Sequence, residues 1–131
     1  MVLVDTSVWI EVFRKRPSVT LERLVDFDDV VTCLPVIQEV LQGFREEHAF
    51  SRARDAMHAL PIIDSPLPAA AFDRAADLYR SARRAGFTVR SGVDCLIAAS
   101  AIRHGVAVLH VDRDFDTLAR VSALQSRRIK G

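Results

Sequence analysis

The sequence lacks the features that mark membrane and secreted proteins. No apolar run approaches the roughly 18 residues that a membrane helix needs. The opening MVLVDTSVWI has neither a basic stretch nor a cleavage site, so a signal peptide is not expected. The two cysteines, Cys33 and Cys95, stand in apolar surroundings without a CxxC pair, which favours buried thiols in a reducing compartment. We therefore expect a cytoplasmic protein.

Several catalytic motifs are also missing. The chain contains neither GxGxxG nor GxxxxGK[ST], which excludes the usual dinucleotide fingerprint and the P-loop. Its 4 histidines have no HExxH or HxH spacing, so a zinc site is not expected. Ser7 lacks the flanking glycines of a nucleophile elbow. Acidic side chains are the remaining candidates for chemistry.

Length and composition predict one globular domain spanning residues 1–131. The chain is 50% hydrophobic and 27% charged, and it has no repeats, linkers or low-complexity segments. The formal net charge is only +1. If several acids gather in one pocket, however, the remaining surface is distinctly basic.

Short β-branched runs alternate with segments of helical periodicity. Strands are predicted at 2–4, 30–34, 61–64 and 106–111. Helices are predicted at 8–14, 20–27, 35–44, 46–60, 68–85 and 95–102, and Gly105 is the stop signal after the last of these. A final short element is predicted at 117–124. This alternation is typical of an α/β fold, with a central parallel sheet and helices on both of its faces.

Acidic residues follow the first and last of the predicted strands. Asp5 comes directly after the first strand, and Asp112 and Asp114 follow the run 106–111. In parallel sheets the carboxyl ends of the strands meet at one edge, which is where ligands bind. Asp94 begins the apolar face of a helix and therefore points towards the protein interior.

Each of these acids, taken singly, also has a structural interpretation. Asp5 and Asp94 fit helix caps, and Asp112 and Asp114 fit turn or cap positions. Together, however, clustered carboxylates repel each other and require a counter-charge. A hard divalent cation with oxygen ligands, such as Mg²⁺, is the usual solution. Glu39 lies at the flank of its helix, where it also fits a surface glutamate.

These motifs together resemble the PIN-domain family and, within it, the VapC-type ribonuclease toxins. VLVDTSVW resembles the strand-Asp-Thr/Ser start of the family, and Glu39 in PVIQEVLQG resembles its second acid. Asp94 in DCLIAASAIRHG resembles the D-x-x-I-A-A-x-A helix, the most specific of the motifs. LHVDRDF resembles the T-x-D-x-D-F ending, with His110 where threonine is common. The resemblance covers nearly the whole chain.

The resemblance implies a PIN-like three-layer sandwich and Mg²⁺- or Mn²⁺-dependent cleavage of RNA, with a structured RNA such as tRNA as the substrate. It implies a catalytic and metal-binding quartet of Asp5, Glu39, Asp94 and Asp112, supported by Asp114, Thr6 and Ser7. It also implies a homodimer and a VapB-type antitoxin, joined in a heterotetramer or a larger assembly. Candidate contacts to RNA phosphates are Arg14, Arg83, Arg84, Arg90 and Arg113.

Two other classes of protein also gather acids at strand ends or share this fold. A receiver-like phosphoryl-transfer domain needs a lysine after a late strand, but the only lysines are Lys15 and Lys130, which follow no predicted strand. A non-catalytic PIN-like binding module is favoured by the loss of one of the four acids, and none is lost here.

Overall fold

The sheet at the centre of the molecule is parallel throughout. The computed structural model describes residues 1–14, 16–17 and 19–129. In these ranges the sheet has 4 strands in the order β2-β1-β3-β4. The strands are β1 (Val2–Val4), β2 (Val30–Val31), β3 (Ala107–His110) and β4 (Ser126–Arg128). All three residues of β1 are buried, as expected for a central strand that is covered on both faces.

Helices fill the connections between the strands. They are α1 (Thr6–Val12), α2 (Leu34–Gln42), α3 (Glu47–His58), α4 (Ala69–Arg84), α5 (Gly92–His104) and α6 (Arg113–Arg120). Two short 3₁₀ turns cover Leu21–Arg23 and Phe27–Asp29. The predicted α/β class, with a parallel sheet between helices, is therefore confirmed. None of the helices in the described ranges is both long and apolar enough to cross a bilayer.

Some of the predicted elements differ from the structure. The helix predicted at 20–27 is reduced to 3₁₀ turns, because the Asp26 carboxylate accepts the Asp28 N–H and stabilises a tight turn instead. The strand predicted at 61–64 is a single bridge between Thr32 and Ile62. The final helix begins at Arg113, earlier than the predicted element at 117–124.

The basic tail contributes the edge strand β4, which its sequence did not predict. Ser126 pairs with Val108 and Arg128 with His110. Strand propensity is low in this polar stretch, so the backbone of β3 determines the conformation. Of the predicted basic turn and tail, Lys15, Lys130 and Gly131 lie outside the described residues, as does Ser18.

The strand ends that carry acids lie side by side. Val4 at the end of β1 pairs with Leu109 in β3, and the Asp5 N–H donates to the Leu109 carbonyl at 2.9 Å. The first residue after β1 is therefore held against the end of β3. Parallel pairing thus brings distant parts of the chain to one edge of the sheet.

Helix α5 ends where the sequence predicted. Gly105 adopts a left-handed φ of 64° at its C-cap, and its N–H donates to the carbonyls of Ala101 and Ile102. A residue with a β-carbon is disfavoured in this conformation. The chain then turns directly into β3.

A buried carboxylate fastens α5 to the loop after residue 61. Asp64 accepts hydrogen bonds from Ser100 Oγ at 3.1 Å and Arg103 Nε at 3.2 Å, and His104 Nε2 lies at 3.3 Å. Burial acts to raise the pKa of Asp64, but these hydrogen bonds outweigh it and the pKa lies below its usual value. The network therefore fixes the helix that carries Asp94.

We expect Gly105→Ala to destabilise the fold by about 1 kcal/mol, because alanine is strained at positive φ. Gly92→Ala is the matched control, since Gly92 has ordinary φ and open space where the β-carbon would lie. The control should leave the stability unchanged or raise it by up to about 1 kcal/mol. Urea unfolding of both variants measures the difference. Equal stabilities would contradict a conformational requirement at Gly105.

Candidate metal centre

Three carboxylates meet at the carboxyl edge of the sheet. One oxygen from each of Asp94, Asp112 and Asp114 lies within 4.8 Å of the others. Asp112 caps α6, and its Oδ1 accepts the Asp114 N–H at 2.9 Å. Asp94 lies in the first turn of α5. The N-termini of two helices, separated along the chain by β3, therefore form the cluster.

Asp5 is held by its own helix. It caps α1, and its Oδ2 accepts hydrogen bonds from the Ser7 N–H at 3.0 Å and the Ser7 hydroxyl at 2.6 Å. The same hydroxyl accepts the Val111 N–H at 3.1 Å, which joins the ends of β1 and β3. Asp5 Oδ1 is buried and has no hydrogen-bond partner among the described residues.

Glu39 faces the same region from α2. It is half-buried, and its Oε1 accepts a hydrogen bond from the Thr6 hydroxyl at 3.0 Å. A freely solvated surface glutamate, one of the two sequence interpretations, would not have this partner. Thr6 therefore orients Glu39, as Ser7 orients Asp5.

The electrostatics show that these acids act on one another. Burial raises the pKa of Asp94 to about 8, and repulsion from Asp5, Asp112, Glu39 and Asp114 adds to the shift. Burial also raises the pKa of Asp5, against the lowering effect of the Ser7 and Thr6 hydrogen bonds, and Glu39 adds to the increase. The structure thus brings together the predicted acids, with Asp114 in the tight group and Asp5 and Glu39 outside it.

The donor set fits a hard divalent cation. The groups that converge are carboxylate oxygens, the ligands that Mg²⁺ and Mn²⁺ prefer. A buried oxygen without a hydrogen-bond partner, as on Asp5, is itself a place for a ligand. Burial, together with repulsion from the neighbouring carboxylates, keeps Asp94 protonated near neutral pH, so a cation bound here would relieve an electrostatic cost.

The five candidate arginines divide into two groups. Arg90 contacts the cluster, with Nη2 at 3.2 Å from Asp112 Oδ1, and Arg113 lines a pocket of about 390 Å³ beside Asp112. Arg128, which the sequence did not single out, lines the same pocket. The other three have contacts within their own helical segments: Arg14 with Glu11, Arg83 with Tyr79 and Arg84 with Ser81.

His110 was not predicted to act at the site, yet it holds Asp112. Its ring is fully buried, and Nδ1 accepts the Asp112 N–H at 3.2 Å. Nε2 lies 3.5 Å from Asp116 Oδ1 without hydrogen-bond geometry. Burial lowers the pKa of His110 despite the nearby carboxylates of Asp116 and Asp5, so the ring is neutral with its proton on Nε2. Only the tertiary structure shows that His110 accepts this hydrogen bond.

Ser91 is the cap of α5, a role that the sequence analysis left open to Asp94. Its hydroxyl accepts the Asp94 N–H at 3.4 Å. The spacing Ser-x-x-Asp before an apolar helix is a recognised capping pattern and would have predicted this. With Ser91 as the cap, the Asp94 carboxylate is left to face the cluster.

Fold and cluster together define a class: small α/β proteins that gather carboxylates at the carboxyl edge of a parallel sheet. The family model of the PIN domain matches residues 2–121. The ribonuclease VapC11 of Mycobacterium tuberculosis is 41% identical over 131 residues, covering 96% of this chain and 97% of that protein. The chain belongs to the PIN-domain family and, within it, to the VapC ribonucleases.

A second relative agrees with this assignment, and a solved structure shares the fold. The ribonuclease VapC51 of M. tuberculosis is 32% identical over 120 residues, which cover 92% of this chain and 86% of that protein. The crystal structure of VapBC2 from Rickettsia felis bound to a promoter DNA fragment contains a chain with the same fold. Its TM-score is 0.79 at 17% identity, with 99% of this chain and 100% of that chain covered.

The raised pKa of Asp94 predicts that the metal-free protein loses stability as pH rises. Between the ordinary value of 3.8 and about 8, the folded protein binds more protons than the unfolded chain. The stability that the raised pKa of Asp94 contributes is therefore fully present below its ordinary pKa. This stability is lost as the pH rises through the pKa of the folded protein. In EDTA, the melting temperature should fall from about pH 5 to about pH 8.5. Asp94→Asn, which does not titrate, should show a smaller decrease; the same slope in both proteins would contradict the shift.

Replacing His110 tests its role as an acceptor. His110→Leu leaves the Asp112 N–H without its partner, which should cost about 1–3 kcal/mol of stability. His110→Asn retains an acceptor near the position of Nδ1, so it should cost less. Urea unfolding of the two variants in EDTA provides the comparison. An asparagine variant less stable than the leucine variant would show that ring packing, and not the hydrogen bond, is the contribution of His110.

Proposed function

We propose that this protein is an endoribonuclease that requires Mg²⁺ or Mn²⁺ and is the toxin of a toxin–antitoxin pair. The observation that carries the proposal is the convergence of carboxylates at one edge of the sheet, where burial and repulsion from the other acids raise the pKa of Asp94 to about 8. The relatives VapC11 and VapC51 are named as ribonucleases. The chemistry proposed is in-line hydrolysis of a phosphodiester bond.

In this proposal the five acids have different roles. Asp94 and Asp112 would hold the cation, together with the unpartnered Oδ1 of Asp5. When bound, the cation supplies a Lewis acid that activates water and neutralises charge at the phosphate. Glu39, which Thr6 holds by a hydrogen bond, would orient the attacking water. Asp114, buried in the first turn of α6, would act as an auxiliary acid.

RNA binding requires positive charge around the acids. Bare carboxylates repel a phosphate backbone, so substrate would bind only after the cation has entered. Arg90 and Arg113 would contact the phosphates on either side of the scissile bond, since both line the pocket beside Asp112. A structured RNA such as tRNA is the proposed substrate, on the basis of the VapC relationship alone.

The proposed partners follow from the same relationship. The solved VapBC structures are toxin–antitoxin complexes, some of them bound to DNA. We propose a homodimer that binds a VapB-type antitoxin in a heterotetramer or a larger assembly. The unpaired, buried thiols of Cys33 and Cys95 support a reducing compartment, and we place the protein in the cytoplasm.

Asp94→Asn separates the metal-centre role from a purely structural one. The substitution preserves the size of the side chain and leaves the Ser91 cap in place, so the metal-free protein should keep or increase its stability. RNA cleavage should fall by about two orders of magnitude or more, because catalysis depends on cation-activated water. Cleavage of total cellular RNA with Mg²⁺ and with EDTA measures the activity, and thermal unfolding in EDTA measures the stability.

Asp77→Asn is the matched control, because it removes the same charge from an exposed position on α4 that pairs with Arg80. This variant should cleave RNA as the wild-type protein does. Cleavage that persists in EDTA, or equal cleavage by the Asp94→Asn variant, would refute the proposed mechanism.

A further inference from the structure

Arg90 is the only arginine in the described ranges that pairs with the acid cluster. Its Nη2 lies 3.2 Å from Asp112 Oδ1, and its Nε lies 3.7 Å from Asp114 Oδ1. The Asp112 oxygen that it contacts also accepts the Asp114 N–H. A guanidinium therefore occupies the acid edge next to the oxygens that a cation would need.

The main chain of Arg90 is anchored separately from its side chain. The Arg90 N–H donates to Asp114 Oδ2 at 3.1 Å, and the neighbouring Val89 is buried in the core. The side chain, by contrast, is 56% exposed. The segment before α5 is therefore held by its main chain, whereas the guanidinium lies at the surface.

The two contacts occupy both oxygens of Asp114. Oδ2 accepts the main-chain N–H and Oδ1 faces the guanidinium, so Asp114 is engaged in holding Arg90. Asp94, in contrast, has no cationic partner among the described ion pairs. Within the tight group, Asp112 and Asp114 are therefore paired with Arg90, whereas Asp94 is not.

We propose that Arg90 is the internal counter-ion of the metal-free site, which a divalent cation must displace from Asp112. This inference rests on the proposed function, because it assumes that the acids bind a cation. The guanidinium and the cation compete for the same oxygen, and their like charges repel at short range. Asp114 retains the main chain of Arg90 during the exchange.

The exchange has a consequence for substrate binding. The pocket beside Asp112 is lined by Arg90, Arg113 and Arg128, and it measures about 390 Å³. Once displaced, the Arg90 guanidinium has lost an acidic partner and stays next to this pocket, where a phosphate is its natural ligand. Cation binding therefore makes a phosphate-binding group available at the same edge.

Arg90→Gln tests the proposal through cation affinity, without any measurement of catalysis. Removing the competing charge should tighten Mn²⁺ binding about tenfold in titration calorimetry at constant pH and ionic strength. Arg90→Lys retains the charge and should bind Mn²⁺ as the wild type does. Arg80→Gln, which removes an exposed charge from α4, controls for the change in net charge.

Thermal unfolding provides a second measurement. In EDTA, Arg90→Gln should melt at a lower temperature than the wild type, because the acids have lost their counter-ion. Mn²⁺ should raise the melting temperature of the variant by more than it raises that of the wild type. If Arg90→Gln binds Mn²⁺ as tightly as the wild type or more weakly, the counter-ion inference is overturned and the proposed function is not. A variant that does not fold even with Mn²⁺ would also overturn it, since an exchangeable counter-ion is dispensable once the cation is bound. If the wild type itself binds no Mn²⁺, the proposed function fails as well.

Discussion

The structure depends on keeping several carboxylates close together at one edge of a buried sheet. Repulsion and burial both oppose this arrangement, as the pKa of Asp94 near 8 shows. Polar contacts from the start of α1 and from the segment before α5 offset these two effects. Ser7 binds Asp5, Thr6 binds Glu39, and Arg90 binds Asp112 and Asp114. These contacts position the acids without a cation, which is the preorganisation that the proposed metal site requires.

The aspartates that form the site also lie at the N-termini of helices, two of them as caps. Asp5 caps α1, Asp112 caps α6, and Asp94 lies in the first turn of α5. Helix N-termini carry partial positive charge and free N–H groups, so they favour carboxylates where a sheet alone would not. The structural and functional interpretations of these aspartates, which compete when the sequence is considered alone, are thus compatible. A carboxylate oxygen that binds its own helix leaves the second oxygen for the site, as Asp5 demonstrates.

His110 holds the Asp112 main chain from inside the core. Threonine is common at this position in the family that the sequence resembles, whereas here the buried imidazole nitrogen accepts the Asp112 N–H. The ring must be neutral to do so, and burial ensures this by lowering its pKa. Asp116 lies on the other side of the ring and binds Arg128 at 2.7 Å, which connects α6 to β4. The edge strand is thereby linked to the helix that Asp112 caps.

The sequence by itself determined the local elements with strong signals: the parallel-strand pattern, the α5 helix with its Gly105 stop, and the acids at strand ends. These follow from periodicity and turn chemistry, which act over a few residues. Only the tertiary structure decided that Ser126–Arg128 is a strand, that residues 20–27 form no full helix, and that Arg90 and His110 hold Asp112. The strand and the Arg90 contact depend on partners that are distant in the sequence, and the His110 contact depends on burial of the ring. The turn at 26–28 depends on a side-chain hydrogen bond that the apolar periodicity does not reveal. The acids were predictable because strand ends in a parallel sheet must share an edge; their neighbours were not, because no spacing rule links Arg90 to Asp114 across a helix and a strand.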